Sequence, residues 1–304
     1  MPNFTHHKKL IEKAQANAAP NCAVCYPCEA TAIESAIEAR KLNLLNPIFV
    51  GPSEQIKAIA QTNNINLDGV EFVEAAGEKE AAQASVALVR DGKASLLMKG
   101  SLHTDVLMRA VLNRDTGLRT GKRITHVFLM DGPDWETPYM ITDAAINIFP
   151  DLTTKMHIIQ NAIDLHHALG YGTPRVAILS AVEMINPDIP TTLEAAALCK
   201  MADRGQIKNG ILDGPLSFDL AVDPSSAKMK HLDTPVTGKA QILVVPNLEV
   251  GNVLFKAQCF VGHADSAGLV LGAKVPIILT SRASSVNSRL VSCAMAKLSA
   301  ASKN

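Results

Sequence analysis

The chain has 304 residues, of which 47% are hydrophobic and 4% are aromatic, and its formal net charge at pH 7 is zero. This length predicts one large or two medium domains with enough apolar material for a core. The sequence has no basic block or stripe, so we expect neither nucleic acid nor a membrane as a partner. Residues 1–19 lack the apolar core of a signal peptide. The sequence also contains no run of about 18 apolar residues, so no membrane-spanning helix is predicted. We therefore expect a cytoplasmic protein.

Strand-like and helix-like segments alternate along the chain. Short apolar runs predict strands at 47–50, 70–73, 94–98, 125–130, 175–179, 210–212, 240–245 and 275–279. Helical patterns lie between most of them, at 30–42, 78–90, 153–169, 191–204 and 285–298. Because the strand runs are continuously apolar, we expect mainly parallel sheets built from βαβ units and covered on both faces. The sequence therefore predicts an α/β fold.

A domain boundary is predicted near residues 121–132, after which the chain begins a second set of strands. We assign residues 1–125 and 280–304 to one α/β domain, and residues 126–279 to the other. Two such domains would enclose a cleft, and ligands of these folds bind beyond the carboxyl ends of strands. Since the candidate motifs follow predicted strands, the sequence predicts an enzyme with its site in that cleft.

The first candidate motif is the cysteine run Cys22, Cys25 and Cys28, one half of the six cysteines. Its spacing is compatible with three ligands of zinc or of an iron–sulfur cluster. However, no second CxxC pair follows it. The run also lies where the first core strand is expected, between helix-like segments at 8–17 and 29–40. We predict no metal and a structural role for these cysteines.

The next motif is Lys99-Gly100-Ser101, directly after a predicted strand. Lys99, Arg109 and the start of the following helix could form an anion site, and Gly100 permits an unusual turn. Solvated charge at a helix end is the alternative for both cations. His103 could serve as a general base or could be an ordinary polar residue on the surface. The loop 114–122 is rich in turn residues and cations, but it lacks the Walker spacing, so nucleotide hydrolysis is not predicted. It could contact a phosphate or line the cleft.

Two aspartate motifs follow in the second predicted domain. Asp143 comes after an apolar stretch and could orient a substrate or cap a helix. Asp213 begins an Asp-Gly-Pro turn signal at the end of a predicted strand, and Asp219 follows four residues after the proline. Both could be site residues or turn residues.

Uncharged donors follow the strand at 240–245. Asn247, Gly251 and Asn252 offer side-chain and backbone donors that would suit an acyl carbonyl or an amide-rich ligand arm. A plain helix cap is the alternative for this segment.

The last motif, Thr280-Ser281-Arg282, lies between a predicted strand and a predicted helix. It brings a guanidinium, hydroxyls and the free N–H groups of a helix start to one place. Such a place can hold a phosphate or a developing oxyanion. An N-cap serine beside a surface arginine is the alternative.

These motifs, in their order, resemble the phosphate acyltransferases, the family of phosphate acetyltransferase and phosphate butyryltransferase. The matching segments are 97–100, 111–113, 117–122, 185–187, 203–208, 213–216, 238–240, 246–247, 251–252 and 279–283. The Arg-Thr-Gly-Lys, Asp-Arg-Gly-Gln-Ile-Lys and Thr-Ser-Arg-Ala segments resemble the butyryltransferase branch more than the acetyltransferase branch.

The resemblance implies two α/β/α domains like those of the isocitrate and isopropylmalate dehydrogenases, and a homodimer. It implies reversible acyl transfer between acyl-CoA and inorganic phosphate, with no cofactor and with an acyl kinase as a metabolic neighbour. By motif, Ser281, Arg282 and Arg109 fall at the coenzyme A and phosphate positions of the family, and we assign catalytic roles to them. The acetyltransferase branch has an aspartate where this chain has Ser288, so no general base is assigned.

Further residues are expected to bind substrate; they are Lys99, Gly100, Thr280, Asn247, Gly251, Asn252, Asp143 and Asp213. Two other functions remain open from the sequence. An NAD(P)-dependent dehydrogenase of the same fold would need a cluster of metal-binding aspartates and a nucleotide loop, whereas the aspartates here are scattered. A non-catalytic acyl-CoA-binding protein would bind coenzyme A without turnover.

Overall fold

The computed structural model describes residues 4–133, 135–279 and 285–302, in which strands and helices alternate. The strands are β1 (Asn21–Cys25), β2 (Asn46–Gly51), β3 (Glu71–Glu74), β4 (Leu96–Lys99), β5 (Thr125–Asp131), β6 (Tyr139–Thr142), β7 (Arg175–Leu179), β8 (Ile211–Leu216), β9 (Ile242–Val244), β10 (Asp265–Leu271) and β11 (Ile277–Ile278). The helices are α1 (Thr5–Gln15), α2 (Ala30–Lys41), α3 (Ser53–Thr62), α4 (Glu78–Arg90), α5 (Thr104–Val111), α6 (Leu152–Ala168), α7 (Pro190–Asp203), α8 (Phe218–Val222), α9 (Pro224–Met229), α10 (Leu248–Phe260) and α11 (Val286–Ala301).

Most strand pairs are parallel, which confirms the predicted α/β class. The eight predicted apolar runs each correspond to an observed strand, and the cysteine run corresponds to a ninth strand, β1. Strands β6 and β10 were not predicted, and neither were helices α3, α8 and α9. None of the described helices is long and apolar enough to cross a membrane.

The chain divides into two compact units, which we call the terminal unit and the central unit. The terminal unit comprises residues 7–122 and 267–304, and the central unit comprises residues 1–6 and 123–266. The domain limits derived from the sequence stay a prediction.

In the terminal unit the strands lie in the order β3-β2-β1-β4-β11-β10. All neighbouring pairs are parallel except β10 with β11. Right-handed crossovers put α2 and α3 on one face of this sheet and α4 on the other, because the chain reverses its direction across the sheet after β3. Helix α4 packs on β1, β2 and α5, whereas α11 packs on α2, β11 and β4.

In the central unit the strands lie in the order β5-β6-β9-β7-β8. Strand β5 is antiparallel to β6, and the remaining neighbours are parallel. Met130, Ile141, Leu243 and Leu216 belong to one buried cluster that continues from the sheet into α8 and α9. The carboxyl ends of β6, β9, β7 and β8 consequently share one edge of this sheet.

Candidate active site

The carboxyl ends of β1, β4 and β11 meet at one edge of the terminal unit. Cys25 pairs with Lys99, and Met98 pairs with Ile278. The loops after β1 and β4 therefore start side by side, and the chain after β11 leaves from the same edge. The predicted site residues Thr280, Ser281 and Arg282 lie just beyond this strand but outside the described residues. The next described helix, α11, has Ser285 as its N-cap, whose side chain accepts a hydrogen bond from the Ser288 N–H at 3.0 Å.

Gly100 allows the loops after β1 and β4 to approach closely. A Cβ atom at this position would lie 2.5 Å from the carbonyl oxygens of Cys25 and Tyr26. Those carbonyls accept hydrogen bonds from the backbone N–H groups of Gly100 and Ser101, at 2.8 and 2.9 Å. The Lys99 ammonium donates to the carbonyls of Gly100 and Leu102, at 3.1 and 3.0 Å. These contacts give Lys99 and Gly100 a clear role in shaping the loop.

Arg109 lies on α5 and is exposed to solvent. Its side chain is 82% exposed, and its Nη2 lies 3.2 Å from Asp105 Oδ2, one turn earlier on the helix. His103 is the N-cap residue of α5, and its side chain makes no capping hydrogen bond.

The structure places Arg109 at a cavity of about 670 Å³ between α4 and α5. Lys79 and Arg90 from α4 also line it, together with apolar residues that include Ala87 and Val106. Sequence reasoning singled out neither Lys79 nor Arg90. Their spacing, with Gln83 and Ala87 between them at intervals of three or four residues, is the signal of one helix face.

The cationic loop 114–122 is held by its own hydrogen bonds. Asn113 Oδ1 accepts from the N–H groups of Asp115 and Thr116, at 2.9 and 3.0 Å. The Gly117 N–H donates to the Asn113 carbonyl at 3.2 Å. Thr120 Oγ1 donates to the Gly272 carbonyl at 2.6 Å. The backbone donors of Asp115, Thr116 and Gly117 are therefore used within the loop and do not form a phosphate cradle.

Asp143 is buried at the carboxyl edge of the central unit. Its Oδ1 accepts from the N–H groups of Ala145 and Ile146, each at 3.0 Å. Its Oδ2 accepts from the His126 N–H at 3.2 Å and from Asn147 Nδ2 at 2.6 Å. Four donors thus hold the carboxylate, which fixes the loop after β6 against β5.

His126 lies next to this carboxylate in the interior of the unit. Its ring is 4.2 Å from that of Phe128, which in turn stacks on Phe255. Burial lowers the pKa of His126 to about 4, although the neighbouring Asp143 opposes this change. The imidazole is consequently neutral at pH 7.

Asn247 is the N-cap of α10, and its side chain accepts from the Val250 N–H at 3.0 Å. Gly251 lies in the first turn of the same helix. A Cβ atom there would lie 2.8 Å from Val245 Cγ2 and 2.9 Å from Ala144 Cβ. This close packing brings α10 against the loop that begins at Asp143. Asn252 follows on the same helix and is partly buried.

Asp213 lies inside β8 rather than after it. The predicted strand ended at Leu212, but β8 continues to Leu216. Asp213 Oδ2 accepts from Thr234 Oγ1 at 2.7 Å, and Oδ1 accepts from the Gly214 N–H. The side chain therefore ties the segment around Thr234 to the edge of the sheet.

Comparison with known proteins decides the family. The phosphate acetyl/butaryl transferase model matches residues 78–297, which is more than half of the chain. This chain belongs to that family. A phosphate acetyltransferase of Rhizobium meliloti is 55% identical over 97% of this chain and 93% of its own length.

This chain is also similar to a second curated protein and to a solved structure. A phosphate butyryltransferase of Clostridium acetobutylicum is 37% identical over 97% of this chain and 98% of its own length. The crystal structure of a branched-chain phosphotransacylase from Enterococcus faecalis V583 has a TM-score of 0.80 at 30% identity. It covers 92% of this chain and 99% of that one. The predicted family and the predicted class of acyltransferase are confirmed.

The structure separates the predicted site residues of this family member into groups. Lys99 and Gly100 lie at the strand edge from which the chain continues toward Thr280, and Arg109 lies at the α4–α5 cavity. In the central unit, Asp143 and the α10 start at Asn247 pack together through Ala144 and Gly251. The substrate-binding and catalytic roles assigned to these residues stay predictions.

The cysteine run of this chain lies largely within the buried strand β1. Cys22 and Cys25 are three residues apart on β1, so their side chains point to opposite faces of the sheet. Burial raises the pKa of the Cys25 thiol to about 12 and that of the Cys28 thiol to about 11. Among the described residues, no group of three or more His, Cys, Asp or Glu side chains could hold a metal ion.

Proposed function

We propose that this protein transfers a short acyl group reversibly between acyl-CoA and inorganic phosphate, giving an acyl phosphate and free coenzyme A. The observation that carries the proposal is the similarity to a phosphate acetyltransferase and to a phosphate butyryltransferase over 97% of the chain. Coenzyme A and phosphate enter as substrates, and the reaction needs no bound cofactor.

Charge is the central problem of this reaction. A phosphate oxygen attacks the thioester carbonyl, a tetrahedral oxyanion forms, and the carbon–sulfur bond then breaks to release the thiolate of coenzyme A. We assign Arg282 and Arg109 to phosphate binding and to stabilisation of that negative charge. Ser281 donates a hydrogen bond to the oxyanion or to the leaving sulfur. Holding the two substrates side by side supplies much of the remaining acceleration.

This mechanism needs no enzyme nucleophile and no aspartate at position 288. The attacking oxygen of the phosphate dianion already carries negative charge, so the forward step requires no proton removal by the protein. Ser288 lies in the first turn of α11, where its N–H donates to Ser285 Oγ and its carbonyl accepts from Ser292 Oγ. These contacts are consistent with a structural role for Ser288.

The first test is release of free coenzyme A from acetyl-CoA, propionyl-CoA and butyryl-CoA, with and without inorganic phosphate. We expect thiol release that depends on phosphate and reverses when acyl phosphate and coenzyme A are supplied. If the protein belongs to the butyryltransferase branch, as the motifs predict, butyryl-CoA should release thiol fastest. The 55% identical relative is named a phosphate acetyltransferase, and membership of that branch would make acetyl-CoA the fastest. Phosphate-independent hydrolysis, or no release from any thioester, would contradict the proposal.

The second test separates the proposed cations from other surface cations. Arg282→Ala should lower kcat by about 100-fold or more, as the loss of an oxyanion donor does in other enzymes. Lys41→Ala is the matched control, because Lys41 is an exposed cation at the end of α2 and pairs with Glu38. Wild-type turnover in a folded Arg282→Ala protein would remove Arg282 from the mechanism.

A further inference from the structure

Helix α11 carries two buried cations. Arg289 lies in the first turn and is 6% exposed, and Lys297 lies closer to the end and is 4% exposed. The helix dipole makes a cation in the first turn unfavourable, and the burial of a charge costs free energy as well. An apolar side chain at position 289 would serve the stability of the fold equally well, so stability alone does not explain the arginine.

The guanidinium of Arg289 joins the start of α11 to the start of α2. Its Nη1 donates to the Thr31 carbonyl at 2.7 Å and to Ser35 Oγ at 3.0 Å. Ser35 Oγ in turn donates to the same Thr31 carbonyl at 2.6 Å. Ser35 is buried, and both acceptors lie within the first two turns of α2. The three groups form a closed set of hydrogen bonds between the two helices.

The start of α2 is in turn tied to the loop after β4, which follows Lys99. Helix α2 follows β1 after a short segment that begins at Tyr26. The Tyr26 carbonyl accepts from the Ser101 N–H and from Ser101 Oγ, each at 2.9 Å. It also accepts from the Cys28 N–H at 2.9 Å. The loop after β4 therefore packs on the segment that leads into α2.

The start of α11 leads back along the chain to the residues assigned to catalysis. Arg282 stands three residues before Ser285, the N-cap of this helix. The Arg289 N–H donates to the Ser285 carbonyl at 3.2 Å, which closes the first turn. On the next turn, Ser292 Oγ accepts from the Gly268 N–H of β10 at 3.1 Å. Contacts with α2 and with β10 thus fix the point at which the chain after Arg282 enters the helix.

On the basis of the function proposed above, we propose that Arg289 is a positioning residue for acyl transfer. By holding the start of α11 against the start of α2, it sets the place of Ser281 and Arg282 relative to Lys99. Arg289 acts through the helix start and does not itself touch the substrates. A displacement of a reacting group by about 1 Å slows a reaction by as much as about 100-fold. Loss of this contact therefore lowers the rate much more than it lowers the stability.

The first test measures phosphate-dependent release of coenzyme A by the variant Arg289→Met. Methionine keeps the length of the side chain but not its hydrogen bonds, and the Thr31 carbonyl still accepts from Ser35 Oγ. We expect kcat to fall about 10- to 100-fold at a nearly unchanged KM for acyl-CoA. The melting temperature should be unchanged or higher, because the variant removes a buried charge from a helix start.

Lys297→Met is the matched control, because Lys297 is a second buried cation of α11 that also holds its helix to the rest of the unit. Its ammonium donates to the carbonyls of Asn17 and Asn43, at 2.6 and 2.7 Å. We expect Lys297→Met to lower the melting temperature and to keep the wild-type kcat. An equal fall in kcat in the two methionine variants, or wild-type kcat in a folded Arg289→Met protein, would overturn the proposal.

A double-mutant cycle tests whether the effect passes through α2. Ser35→Ala removes the hydroxyl acceptor and should lower kcat by a smaller factor than Arg289→Met does. In the Arg289→Met background the same change should have almost no further effect, because the two residues act through one contact. Losses in kcat that multiply in the double variant would show that Arg289 acts by another route and would overturn the proposal.

Arg289→Lys should retain part of the wild-type kcat, since an ammonium still reaches one acceptor but lacks the planar fork of the guanidinium. If Arg289→Met does not fold, wild-type kcat in both Arg289→Lys and Ser35→Ala would overturn the proposal. Failure of the proposed function gives a different result. A wild-type protein without phosphate-dependent release of coenzyme A would refute acyl transfer itself, whereas an active wild type with unchanged kcat in the Arg289 variants would refute the positioning role alone.

Discussion

The carboxylate of Asp143 accepts hydrogen bonds from the N–H groups of Ala145, Ile146 and His126 and from the side-chain amide of Asn147. Such a group is costly to remove, since each donor left unpaired in the interior destabilises the fold by about 1–3 kcal/mol. We therefore expect Asp143→Ala to lower the free energy of unfolding by about 3–5 kcal/mol in urea titrations. Asp143→Asn should cost less, because the amide oxygen keeps part of these contacts.

Asp105→Ala is the control for the Asp143 variants, because Asp105 is exposed and pairs with Arg109 on the surface of α5. Exposed pairs of this kind contribute about 0–1 kcal/mol. Equal destabilisation by the two alanine variants would contradict the structural role of Asp143. A folded and stable Asp143→Asn protein with a much higher KM would instead support the predicted role in substrate binding.

His126 makes the stability of the protein dependent on pH. Its pKa in the folded state is lowered to about 4 from an ordinary value of 6.5, chiefly by burial. Between these two values the unfolded chain binds more protons, so the free energy of unfolding falls as the pH is lowered from 6.5 toward 4. The full effect of one such histidine is about 3 kcal/mol at most.

His126→Gln should flatten this pH dependence in urea titrations carried out between pH 7 and pH 4. Part of the slope should remain, because burial also lowers the pKa of His166 to about 4. His231→Asn is the control, since His231 is exposed and has a left-handed φ of 53° that asparagine tolerates. An unchanged slope in the His126 variant would mean that this imidazole is already accessible to protons in the folded state.

The role of Asp143 could be predicted only in part. Its position after a strand was visible in the sequence, and both substrate binding and capping were open. Its actual partners include the His126 N–H, which is 17 residues away. That pairing depends on how β5 and β6 align, and no local pattern encodes it. The lowered pKa of His126 follows from the same packing and was equally invisible.

At the scale of an element, Asn247 begins α10 and decides how the helix meets the sheet edge. Asn247→Ala removes the acceptor of the Val250 N–H and should cost about 1 kcal/mol of stability. Asn247→Asp should keep the cap, because aspartate caps helices as well as asparagine does. If Asn247 acts only as a cap, the KM for acyl-CoA should be the same in both variants as in the wild type. A KM that rises strongly in Asn247→Asp at unchanged melting temperature would indicate direct contact with the substrate.

Physical causes can be identified for the elements that the sequence did not predict correctly. Strand β8 was predicted to stop before Asp213 because Asp-Gly-Pro is a turn signal. It continues because β8 is the outermost strand of its unit, where a proline without an N–H group is tolerated. Strand β10 begins with Asp265 and Ser266 and contains a glycine, so it lacked the apolar run that revealed the other strands. Helix α4, by contrast, was predicted at its observed limits because its apolar residues recur with helical spacing.

At the scale of the whole molecule, the sequence predicted the family and the fold class, but not which motifs lie together. The grouping depends on strand order. Strand β11 is adjacent to β4 although about 180 residues separate them in the chain, and this brings the end of β11 beside Lys99. Arg109 was associated with the same anion site from its place in the chain and by motif. The structure adds that Arg109 lines a cavity together with Lys79 and Arg90, and its catalytic role stays a prediction.

The six cysteines offer a test of the whole fold and of the proposed chemistry together. Burial raises the pKa of Cys25, Cys199 and Cys293 to about 12, and that of Cys28 to about 11. At pH 8 only about one thiol in a thousand or fewer is then ionised, and the thiolate is the reactive form. We expect a charged disulfide reagent to label the native protein slowly and all six thiols to react quickly once urea unfolds the chain.

Because the proposed mechanism has no cysteine nucleophile, Cys25→Ser should retain wild-type turnover per folded molecule. Rapid labelling of a single native thiol, accompanied by loss of phosphate-dependent thiol release, would require a covalent cysteine and would contradict direct transfer between acyl-CoA and phosphate.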